Sequence, residues 1–77
     1  MNKTAQDRAN IAQRKMNVKQ GRLMAIFEAL GHPPTEEEVR KAHEEAAKWV
    51  DAHTDAEGNV KPTAPDIRAG LEAWRNG

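Results

Sequence analysis

Apolar positions return at helical spacing over most of this chain, and almost nowhere at the alternating spacing of a strand. Leu23, Ile26, Phe27 and Leu30 recur at intervals of three and four, as do Val39, Ala42, Ala46, Trp49 and His53, and then Ile67, Leu71 and Trp74. Each set defines one core-facing stripe of an amphipathic helix. Residues 5–15 are different: Ile11, with Met16 at the end, is set among Ala5, Ala9, Ala12 and charged or amide side chains. Boundary residues sharpen the pattern. Thr35-Glu36-Glu37-Glu38 is a capping box, with acidic residues placed at the positive end of the helix dipole. Thr63-Ala64-Pro65-Asp66 repeats its logic, and Thr4 with Asp7 and Asn17 with Gln20 are weaker forms. Leu30-Gly31-His32-Pro33-Pro34 ends a helix with glycine followed by prolines. Residues 54–62 read as a loop, with at most a short extended pairing around Val60.

The pattern predicts an all-α fold, a small bundle of three to four short helices near residues 5–15, 18–30, 36–53 and 64–75. Residues 1–16 are expected to form a basic arm or marginal helix, partly mobile, because a short helix with so little to bury is marginal in water. Residues 17–77 are expected to form the helical domain.

Composition limits what this domain can do. Of its 77 residues 29 are hydrophobic, but 13 of those are alanine, so Phe27, Trp49, Trp74 and a few aliphatic side chains must supply the core. A core of this size rarely contributes more than about 3–5 kcal/mol. The chain has no Cys, Ser or Tyr, and its four Thr sit mostly at helix starts. Covalent catalysis needs an activated nucleophile beside a base in a cleft, and this inventory points away from an enzyme. No apolar run approaches membrane-spanning length and residues 1–20 lack a signal-peptide core, so a cytoplasmic protein without membrane contact is expected.

Charge changes the picture most. Lys3, Arg8, Arg14, Lys15, Lys19 and Arg22 are opposed only by Asp7 in the first 22 residues, whereas the rest of the chain carries six basic and eleven acidic groups. The formal net charge of zero therefore hides a dipolar molecule. A basic segment of this kind suits an acidic protein groove or nucleic acid. Residues 1–26 contain no aromatic side chain for base stacking, although Arg and Lys alone can grip duplex phosphates. The interleaving of Ile11, Met16 and Val18 with Arg8, Arg14, Lys15, Lys19 and Arg22 marks these eight as the candidate partner-binding residues, with an acidic protein surface as first choice and nucleic acid second.

Other motifs are weaker. Arg40, Lys41 and Lys48 each follow a Glu by four residues, the register of solvated helical ion pairs, and the Glu36–Glu38 cluster has an alternative reading as a phosphate-mimicking patch. Asp51, His53, Asp55, Glu57 and Gly58 are suggestive of a calcium loop, but the twelfth position holds Ala64 in place of the bidentate Glu, and Pro62 interrupts it. His32, His43 and His53 have neither i,i+4 partners nor cysteines for zinc. No metal or cofactor is expected.

The segment from Ile26 to Val39, with its Leu30-Gly31-x-x-Pro34-Thr35-x-x-Glu38 signature, resembles the helix-turn-helix of the third region of bacterial sigma factors. That resemblance implies a helix-turn-helix-like core. Glu36, Glu37 and Glu38 stand where a DNA-reading helix would meet phosphates, which repels the duplex. Small size, absent site chemistry and split charge are similar in type to short phage-encoded host-takeover proteins that bind bacterial RNA polymerase. This resemblance implies a non-enzymatic regulator or inhibitor of host transcription acting in the cytoplasm of a bacterial host. The alternatives are a helix-turn-helix DNA-binding regulator and a structural or assembly adaptor, with the oligomeric state left open.

Overall fold

A computed structural model describes residues 4–76, and they fold around two long helices. Helix α1 spans Ala5–Leu30, α2 spans Glu36–His53, and a single turn, α3, spans Glu72–Arg75. Among the described residues the only β pairing is an isolated antiparallel bridge between Thr54 and Val60. The fold is all-α. The expected mobility of residues 1–3 lies outside the described residues.

Both long helices start as their cap residues dictate. The Thr4 hydroxyl accepts the Asp7 amide at 3.1 Å while the Asp7 carboxylate accepts the Thr4 amide at 3.3 Å. At α2 the Thr35 hydroxyl accepts from the Glu38 amide at 3.2 Å, and Glu38 accepts from the Thr35 amide at 2.9 Å. Helix α1 ends at Gly31, whose φ of 72° places it in the left-handed conformation that lets a helix terminate without a Cβ penalty.

Two boundaries differ from expectation. The break anticipated at residues 16–17 is absent, and α1 runs through it. Asn17 does not cap a new helix because its side-chain oxygen accepts from Gln13 Nε2, one turn back, at 3.0 Å. The neighbouring Gln, Arg, Lys and Met residues are strong helix formers, and no Gly or Pro interrupts residues 5–20. Conversely, the helix expected over 64–75 shrinks to its last turn. Asp66 Oδ1 accepts the Arg68 amide at 2.8 Å, a local turn that competes with helix formation. Gly70 adopts φ 72°, and the carbonyls of Ile67 and Ala69 are taken by Arg22 instead of amides four residues on.

The core lies where α1, α2 and the C-terminal segment meet. Leu23, Ala25, Ile26, Ala42, Ala46 and Leu71 form its buried cluster, with Phe27, Ala29 and Trp74 packed against it. Trp49 and Val50 are also buried. Ala42 and Ala46 of α2 are completely buried within this cluster. The molecule is flat, with principal extents of 47 × 27 × 14 Å.

Candidate functional site

The eight candidate residues all lie on α1, and helical geometry sorts them into two stripes. Ile11, Arg14, Val18 and Arg22 recur at three and four residues and share one side; Arg8, Lys15 and Lys19, with Met16 beside them, share another.

The first stripe serves the fold. Residues 55–59 close over it as a tight turn. Asp55 Oδ1 accepts the amides of Glu57 (2.8 Å) and Asn59 (3.0 Å), and these backbone donors hold the Asp55 carboxyl below the usual range. Gly58 (φ 82°) is buried against α1, where a Cβ would stand 2.9 Å from the Ile11 carbonyl oxygen and 3.2 Å from Arg14 Cβ. Arg14 donates to the Glu57 carbonyl at 3.4 Å, while Ile11 and Val18 are half-buried.

Arg22 is the largest departure from a surface role. Only 4 % exposed, it sends one terminal nitrogen to the carbonyls of Ile67 and Ala69, each at 2.7 Å. Its guanidinium carbon sits 5.7 Å from the Trp49 ring centroid. Burial lowers its pKa and the Glu45 charge opposes that shift. Its Nε is buried without a partner. Arg22 thus cross-links α1 to the C-terminal segment and is not available to a partner.

The second stripe borders an open groove, with Lys15 and Lys19 half-buried and Met16 exposed. Ala12, Lys15, Met16 and Lys19 form one wall of a shallow groove of about 340 Å³, and Ala47, Val50 and Asp51 of α2 form the other. Its floor is apolar, and Met16, 55 % exposed, stands at its edge. Lys15 and Lys19 are one turn apart on the α1 wall, with Asp51 across from them. Among the described residues none of these three charges has an ion-pair partner. Arg8 lies further along the same stripe and is exposed. Ala12, Ala47, Val50 and Asp51 were not among the candidates. The α2 wall has a visible trace, since residues 47, 50 and 51 follow helical spacing, but they lie beside the core-facing stripe and the sequence did not show that they would meet Lys15, Met16 and Lys19 across a groove.

Several residues of the remaining motifs make local contacts. Asp55 spends its acceptor on the turn, and among the described residues no group of three or more His, Asp or Glu side chains converges to hold a metal ion. His32 contacts both Glu38 carboxylate oxygens, at 3.2 and 3.1 Å, beside the α2 cap. The Thr35 amide, then His32, lowers the Glu38 pKa. Of the three expected i,i+4 ion pairs, Glu37–Lys41 forms at 3.6 Å, with Glu37 also 3.5 Å from Arg40. No helix among the described residues is long and apolar enough to cross a membrane. Comparison with family models, curated proteins and solved structures finds no match to this chain.

Proposed function

We propose that this chain is a non-enzymatic binding protein that docks on an acidic protein surface through Arg8, Lys15, Met16 and Lys19, and that it regulates or inhibits host transcription machinery. The observation that carries the reading is the α1 side of the groove: Lys15 and Lys19 beside an exposed methionine and apolar lining. Charge of this kind steers encounter and apolar contact holds the complex. Methionine suits such a face because its unbranched, polarisable side chain adapts to the contour of a partner. Bacterial RNA polymerase is the first candidate, on the sigma-like turn from Ile26 to Val39 and the likeness in type to phage-encoded inhibitors; the site of action is then the bacterial cytoplasm. Against direct reading of DNA by α2 stand Glu36 and Glu37, exposed in its first turn.

The test is binding of wild type and of an Arg8→Gln, Lys15→Gln, Lys19→Gln variant to purified polymerase, with a random DNA duplex as control. Wild type binds polymerase and ignores the duplex; the variant keeps its helical spectrum and loses at least tenfold in affinity, about 1.4 kcal/mol. Unchanged polymerase binding by the folded variant rejects the reading. Steeply salt-dependent binding of wild type to the duplex alone assigns the chain to DNA instead.

A further inference from the structure

We infer that the groove between α1 and α2 is also a self-association face, on which two copies of this chain pair about a twofold axis. Knob and hole lie side by side. Met16 projects at 55 % exposure beside an open groove of about 340 Å³ whose apolar lining includes Ala12, Ala47 and Val50. In a twofold pairing each surface patch meets its own copy, so the Met16 of each chain enters the groove of the other.

The charges favour the same occupant. The α1 wall carries Lys15 and Lys19, the α2 wall carries Asp51, and none is paired within the chain among the described residues. An acidic partner meets the lysines of the α1 wall and leaves Asp51 of the α2 wall without a counter-charge. An occupant that satisfies both walls must present a carboxylate to α1 and an ammonium to α2, at the same spacing and in the reverse sense. A second copy turned by half a revolution presents that arrangement twice, with each Asp51 facing the lysine pair opposite. The seam from Ala12 to Lys19 is two helical turns, roughly 10 Å long. Such a face buries less than a standard interface, so the dimer is weak and concentration-dependent. It also covers Lys15, Met16 and Lys19, making self-association and partner docking mutually exclusive.

The experiment is sedimentation equilibrium on the full chain, with circular dichroism confirming that each variant is helical. It needs no partner, so its outcome is independent of the proposed function. Wild type moves from the mass of one chain towards two as its concentration rises into the millimolar range. Asp51→Lys alone and the Lys15→Glu, Lys19→Glu pair alone each stay monomeric, because each sets like charges against one another twice. Mixed in equal amounts they form a one-to-one heterodimer, since both charged seams are then complementary. That recovery disappears when Met16→Glu is added to both chains, and Glu72→Lys, away from the groove, leaves the wild-type dimer intact. A wild type that stays monomeric throughout overturns the inference. So do single-swap variants that dimerise like wild type, a mixture that does not recover, or a recovery indifferent to Met16.

Discussion

Arg22 has a sequence context indistinguishable from that of its neighbours, yet its environment makes it the most internally engaged cation described here. Two backbone carbonyls at 2.7 Å and the Trp49 ring engage its head group, and the residue is only 4 % exposed. Its charge therefore acts within the fold. Arg22→Met, which keeps much of the apolar stem, should destabilise the protein by about 1.5–3 kcal/mol, the range for hydrogen bonds to a charged group. Chemical denaturation measures this directly. Arg22→Lys should recover only part of the loss, because a single ammonium does not reproduce the planar fork of guanidinium donors. The sequence showed a cation beside an apolar stripe; it could not show that the carbonyls of Ile67 and Ala69, 45 and 47 residues away, would converge on it.

At the scale of elements, the loop 55–59 and the two caps determine how the helices begin and where they are held. Gly58→Ala brings a Cβ to 2.9 Å from the Ile11 carbonyl oxygen, a backbone atom that cannot rotate away, at a residue with φ 82°. The expected loss is about 1–3 kcal/mol, the cost of strained backbone, read as a lower midpoint in thermal melting. Acid should loosen the same elements. The amide donors to Asp55 and to Glu38 depress both carboxyl pKa values, so both groups ionise more readily in the folded than in the unfolded chain. Their stabilising effect is present in full above the ordinary carboxylate range and is lost as pH falls through their depressed values. Stability followed from neutral pH downward should fall through and below that range, and Asp55→Asn with Glu38→Gln should flatten the fall. The α2 capping box was legible because every contact in it spans three residues. The loss of the first part of the helix expected over 64–75 was not, since Arg22 takes the carbonyls of Ile67 and Ala69 from another element.

For the whole molecule, the uneven distribution of apolar side chains along α1 sets its dynamics. Residues 4–10 are exposed throughout, whereas Leu23, Ile26 and Leu30 are in the interior. Amide exchange should therefore grade along one continuous helix: first-turn amides opening locally, and those near Ile26 only with global unfolding. Equal protection from Arg8 to Ile26 would contradict this gradient. Helical class, the stop at Gly31, the start of α2 at Thr35 and the core stripes were determined by the sequence alone, because they rest on local contacts: caps, a left-handed glycine, and apolar residues every three or four positions. Tertiary structure alone decided how the basic segment divides. Ile11, Arg14 and Arg22 were drawn towards the C-terminal half of the chain, and Lys15, Met16 and Lys19 were left facing Asp51 across an open groove. The reason is physical. Side-chain type and local spacing specify what a helix face can bind, but which face is covered depends on the distant segments that fold back against it.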